Sequence, residues 1–115
     1  MKNRLSHLFM KVGDLEAAKD FWGKLVGLDI IQDHGAYVQV GGNTGFEIGL
    51  EEGEVPESPA GSIEINIQVE DVNAVYGDLL AAGVTSAEEP TTSDWGTVYA
   101  VVLDPDGRRI GIQSW

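Results

Sequence analysis

A chain of 115 residues can bury one sizeable core, and 19 acidic against 7 basic side chains give it a formal net charge of −12. That balance argues against nucleic acid as a partner, because phosphates are neutralised by Lys and Arg, and the lack of cysteine excludes disulfides, thiolate metal sites and cysteine nucleophiles. No apolar run approaches the roughly 20 residues of a membrane span and no charged-then-apolar leader precedes the first strand, so a cytoplasmic protein away from membranes is expected.

The first element is a strand over Leu5 to Val12, with Leu8, Met10 and Val12 on one face and His7, Phe9 and Lys11 on the other. Asp14 can cap a helix whose apolar stripe runs through Leu15, Ala18, Trp22 and Leu25 and whose stop is Gly27. A second strand follows over Leu28 to Asp33, then a turn at Asp33, His34 and Gly35, and a third strand over Tyr37 to Val40. Gly41, Gly42 and Asn43 make a hairpin into a fourth strand, Gly45 to Leu50, which puts Phe46, Ile48 and Leu50 on the packed face and Glu47 on the other. The acidic, Pro-bearing stretch Glu51 to Gly61 has little to bury, and a linker is expected at about 52–61.

The second half repeats the first. Ile63, Ile65, Ile67 and Val69 alternate with Glu64, Asn66 and Gln68; Asp71 caps; Val72, Val75, Tyr76, Leu79 and Leu80 form a helical stripe; Gly83 stops it. Aligning Val12 with Val69 sets Asp14 on Asp71, and one residue of slippage inside the helix sets Gly27 on Gly83. The chain is therefore one domain over 1–115 built from a duplicated module, the first copy at about 1–51 and the second at about 62–115. The remaining elements are a short strand at Thr85 to Glu88, a loop at Glu89 to Asp94, a strand at Trp95 to Leu103, a tight turn at Asp104 to Gly107, and a last strand at Arg109 to Trp115.

With the apolar strand faces committed to the helices, His7, Lys11, Tyr37, Gln39, Glu47, Glu64, Asn66, Gln68, Gly111 and Gln113 share the opposite side. Phe9 and Trp95 lie on that side or its rim. Aromatic groups among polar ones favour a ligand cavity over a merely wetted sheet face. The glycines of GGNTG read as turn residues, because no Lys or helix follows to make a phosphate loop.

The runs HLFMKVGDLEAAKDFWGKLVGL, FEIGL, IEINIQVEDV and WGTVYAVVLDPDGRRIGIQ together resemble the vicinal oxygen chelate superfamily, the glyoxalase, bleomycin-resistance and dioxygenase group, over nearly the whole chain. The resemblance implies an α+β fold in which two βαβββ modules form a curved, mostly antiparallel eight-stranded sheet around a cavity, often in a homodimer. In metal-using relatives the first, fourth, fifth and eighth strands each supply one ligand, matched here by His7, Glu47, Glu64 and Gly111. Glu64 stands where His is usual, and Gly111, where Glu is usual, has no donor. The resemblance therefore implies a small-molecule-binding protein without a complete metal site and with no cofactor, its ligand-binding residues Phe9, Tyr37, Asn66, Gln68, Trp95 and Gln113. The bleomycin-resistance type holds a planar, cationic molecule by charge and stacking, elements that Glu47, Glu64, Trp95 and Phe9 offer here. The alternative is a divalent-metal-dependent lyase, isomerase or dioxygenase. It would use His7, Glu47 and Glu64 to hold zinc, manganese, nickel or iron, with Glu47 or Glu64 as candidate base. A third class is an interaction domain with a vestigial cavity.

Overall fold

The structure, a computed structural model, describes residues 7–42, 45–56, 63–94 and 96–114. The chain divides into two compact units, Met1–Pro56 and Glu57–Trp115. Unit 1 contains β1 (Leu8–Val12), α1 (Leu15–Lys19) running into a π-helical turn (Asp20–Leu25), β2 (Asp29–Asp33), β3 (Tyr37–Gly41) and β4 (Glu47–Glu52). Unit 2 contains β5 (Ile65–Gln68), α2 (Val72–Ala81), β6 (Ser86–Thr92), β7 (Val98–Leu103) and β8 (Arg109–Gln113). Each unit is thus the expected βαβββ module, and each has its own four-stranded sheet, in the order β1-β4-β3-β2 and β5-β8-β7-β6. The first pair in each sheet is parallel, because β1 and β5 return through a helix, and the hairpin-linked pairs are antiparallel.

The duplication extends to register. Phe9 pairs with Gly49 as Asn66 pairs with Gly111, and Lys11 pairs with Glu51 as Gln68 pairs with Gln113. Tyr37 opposes Glu51 as Tyr99 opposes Gln113. Both helices start alike: the Asp14 carboxylate accepts the Ala17 N–H at 3.1 Å and the Asp71 carboxylate accepts that of Ala74 at 3.0 Å. Both stop at a glycine with positive φ, Gly27 at 88° and Gly83 at 94°.

The one-residue slippage between the copies has a structural form. In unit 2 the closing bond runs from the Val84 N–H to the Leu79 carbonyl, whereas in unit 1 it runs one residue further back, from Leu28 to Trp22. The surplus residue is absorbed by the π-helical turn, where the Val26 N–H reaches the carbonyl of Phe21. Beside this turn Lys19 bonds Asp33 at 3.1 Å. Hydrogen bonding to Asp33 and then its charge raise the Lys19 pKa, while the Gly35 N–H and then Lys19 lower that of Asp33.

The packed faces form one core per unit. Met10, Val12, Phe21, Trp22, Val38, Val40, Ile48 and Leu50 are buried in unit 1, and Ile65, Val72, Leu79, Ala100, Val102, Ile110 and Ile112 in unit 2. Several sequence expectations are corrected. Phe46 precedes β4 and is 57 % exposed, Ile63 precedes β5 and is 74 % exposed, and Leu80 lies on the open side of α2. Glu51 and Glu52 belong to β4 and not to the linker. Parallel pairing with β1 carries the strand on, Lys11 bonds Glu51, and the Glu52 carboxylate accepts the Leu15 N–H at 3.0 Å.

The strand expected at Thr85 to Glu88 instead runs through the expected loop as far as Thr92. Pro90 is tolerated there because β6 is an edge strand, and the pairing with β7 shifts register between Glu88 and Thr91. The segments expected at Leu5 and Ser6, Asn43, and Trp95 lie outside the described residues. Among the described residues, no helix is long and apolar enough to cross a membrane.

Candidate functional site

On the sheet face away from its helix, unit 1 carries an aromatic and polar cluster. Phe9 of β1 and Tyr37 of β3 lie nearly parallel, with ring centroids 6.4 Å apart and planes 12° from each other. They reach toward one another over Gly49 of β4, and Phe9 is 49 % exposed. The Tyr37 hydroxyl donates to Gln39 Oε1 at 2.5 Å, and Gln39 Nε2 donates to the Glu47 carboxylate. Lys11 Nζ, bonded to Glu51, sits 5.7 Å from the centre of the Phe9 ring. The His34 ring is tilted toward Tyr37 with centroids 6.4 Å apart. Of the residues anticipated from sequence, Phe9, Tyr37, Gln39 and Glu47 therefore come together, and His7 lies exposed immediately before β1.

The corresponding face of unit 2 is an amide and ion-pair cluster. Gln113 Nε2 donates to Asn66 Oδ1 at 2.8 Å, with Gln68 beside Gln113 in the β5–β8 register. Arg109 Nε donates to Glu64 at 3.3 Å and Arg109 Nη2 to Glu88. The bonds to Glu88 and then Glu64 push the guanidinium pKa further up, so this cation persists at any ordinary pH. Tyr99 of β7, opposite Gln113, completes the face.

Glycine at the centre of each face decides what fits there. A side chain on Gly49 would overlap the Tyr37 phenol, its Cβ falling 2.9 Å from Cζ and 3.0 Å from Cε2. A side chain on Gly111 would overlap the Asn66 amide, with Cβ 3.0 Å from Asn66 Cγ and 2.9 Å from Glu64 Oε1. In both modules a cross-strand neighbour therefore occupies the space that a central side chain would need. The two sites differ in how readily they yield. Gly49→Ala is expected to cost about 1–3 kcal/mol, because a ring must be lifted out of a stack, whereas Gly111→Ala meets only the ends of exposed side chains and should cost less than about 1 kcal/mol. In urea unfolding, Tyr37→Ala should absorb the Gly49→Ala penalty, leaving a coupling above about 0.5 kcal/mol, and strict additivity would contradict the overlap.

The carboxylates matched to a divalent-metal site have other partners. By register Glu47 is the repeat counterpart of Arg109 and Gly49 that of Gly111, so the counterpart of the donorless eighth-strand position is Gly49 and not Glu47. Glu64 is engaged by Arg109, and Glu47 by Gln39. Among the described residues, neither unit holds a group of three or more His, Asp or Glu side chains able to bind a metal ion.

Tyr99, Arg109, Glu88 and His34 were missed in the sequence. Tyr99 and Arg109 could have been found by carrying the repeat from the first strand and helix to the third and fourth strands. Glu88 and His34 have no such signal, because their placement depends on a bulged edge strand and a turn. Trp95 lies outside the described residues.

A model of the Glyoxalase/Bleomycin resistance protein/Dioxygenase superfamily matches residues 4–112. A glyoxalase/bleomycin resistance protein from Streptomyces sp. CB03234 is 33 % identical, with a TM-score of 0.70 over 94 % of this chain and 98 % of that one. An antibiotic binding protein from the same organism is 28 % identical, with a TM-score of 0.77 over 98 % and 96 % of the two chains. A glyoxalase-related enzyme from Fulvimarina pelagi, 22 % identical, shares the fold with a TM-score of 0.81 over 99 % of this chain and 89 % of that one. No curated protein matches the chain.

Proposed function

The chain belongs to the glyoxalase, bleomycin resistance protein and dioxygenase superfamily, and on that premise we propose that it binds a planar organic molecule without a metal ion, in the homodimeric form its resemblance implies. The observation that carries this reading is the pair of central glycines, each with its side-chain space taken by Tyr37 or Asn66. A carboxylate at either position would have to displace that neighbour before it could reach a metal. What the faces offer instead is a surface for recognition. Phe9 and Tyr37 give a flat apolar platform, Glu47 an acidic group beside it, and Asn66, Gln68 and Gln113 a ladder of amides. A net charge of −12 favours a cationic ligand over an anionic one. The similarity to an antibiotic binding protein from Streptomyces supports the same class of function.

The protein as purified should carry well under one equivalent of transition metal, and chelator should leave its melting temperature unchanged, since only an ion bound to the native state adds stability by mass action. Elemental analysis and melting curves with and without EDTA read both quantities. One tightly held equivalent, lost in His7→Ala or Glu64→Ala, would instead support the metal-dependent lyase, isomerase or dioxygenase.

A further inference from the structure

The π-helical turn of unit 1 does more than absorb a residue. A solvent-open cavity of about 340 Å³ lies against it on the helix side of the sheet. Its charged lining is Glu16, Lys19, Asp20 and Lys24, and its apolar lining includes Leu28 and Ile30. Asp20, Lys24 and the lining residue Gly23 all belong to the π-helical turn, a geometry that recurs at functional sites. The cavity therefore coincides with the one residue by which the first helix exceeds its repeat counterpart.

We infer that this cavity is a binding site for a small zwitterion with an aliphatic body, the chemistry of an apolar α-amino acid. Two acids and two lysines share the lining; Lys24 is held loosely by its helix neighbour Asp20 at 3.7 Å, whereas Lys19 lies 3.6 Å from Glu16 and bonds Asp33 at 3.1 Å. Exposed pairs of this kind contribute about 0–1 kcal/mol, so exchanging a partner for a ligand group of the same sign costs little. A ligand carboxylate meets Lys24, and a ligand ammonium meets Glu16 or Asp20. A simple anion is opposed by the net charge of −12, and a simple cation leaves the lysines facing it. Only the neutral zwitterion satisfies both signs. The aliphatic body lies against Ile30, 43 % exposed, and Leu28. Gly23 leaves room for it by having no side chain.

The test is an NMR titration of the isotope-labelled full chain with L-leucine. The expected result is saturable shifts at the backbone amides of Gly23, Lys24 and Ile30. Isocaproate, which lacks the ammonium, and isoamylamine, which lacks the carboxylate, should each bind at least about tenfold more weakly. Gly23→Met fills the cavity without invading the core, since its Cβ would lie 3.4 Å from Ile30 Cδ1. It also removes a glycine from a helical segment, so its melting temperature should not fall. This variant should lose the leucine response while keeping that of Phe9 and Tyr37 to a planar dye. No saturable shift with leucine, equal shifts with all three compounds, or a wild-type response from Gly23→Met would overturn the assignment.

Discussion

Trp22→Ala is expected to lower the unfolding free energy by about 3–5 kcal/mol, a large share of the stability of a domain this size. Trp22 is wholly buried and packs edge-on against Phe21, with ring centroids 5.1 Å apart and planes at 86°. Removing the indole leaves a void that the β-sheet below cannot fill, so the transfer and cavity terms add. Trp22→Phe separates packing from polarity. Trp22 Nε1 is buried without a hydrogen-bond partner among the described residues, and phenylalanine deletes that group while keeping an aromatic ring. Its cost should be less than half that of alanine in urea unfolding. Equal losses for the two variants would mean that packing around the indole is not what holds this core.

The second large effect is expected at Asp104, where alanine should cost about 3 kcal/mol. Its side chain is 1 % exposed and organises the turn between β7 and β8. One oxygen accepts the N–H groups of Asp106 and Arg108 at 3.0 and 2.7 Å, and the other accepts Arg108 Nη1 at 3.0 Å. Alanine leaves two backbone donors and part of a guanidinium charge without this acceptor. Asp104→Asn keeps an oxygen for the backbone donors, so it should retain roughly half of the lost stability. Urea midpoints for the two variants measure the difference. A negligible loss with alanine would show that the backbone bonds alone, Gly107 N–H to Asp104 carbonyl and Asp104 N–H to Arg108 carbonyl, hold the turn.

The fold was legible because its signals are local. Alternation marked β1, β3 and β5, the Asp14 and Asp71 caps and the Gly27 and Gly83 stops bracketed both helices, and matched spacing exposed the repeat. Even the slippage between copies was visible, although nothing in DFWGKL announces that a π-helical turn absorbs it. Phe46 and Ile63 misled because alternation extends past the last paired residue, and pairing, not pattern, ends a strand. Pro90 suggested a loop because proline breaks a ladder, and only sheet order reveals that β6 lies at an edge.

The site was half legible. Strand parity gathered Phe9, Tyr37, Gln39, Glu47, Glu64, Asn66 and Gln113 on a single side, whereas the strands form two sheets and the first four residues share one sheet face and the last three the other. It could not reveal that Arg109 engages Glu64 and Glu88, because that contact crosses strands distant in sequence. Nor could it show that Tyr37 lies over Gly49 and Asn66 over Gly111. Those two overlaps carry the proposal of a metal-free recognition surface, and they require three-dimensional register.

Calorimetric titration of the protein with the planar cationic dye acriflavine in excess EDTA tests the central claim most directly. Saturable binding is predicted, with the same affinity with and without chelator, and weakened about three- to tenfold by Tyr37→Ala as a stacking partner is lost. Heat that appears only after zinc, manganese, nickel or iron is added, and that EDTA abolishes, would contradict the account.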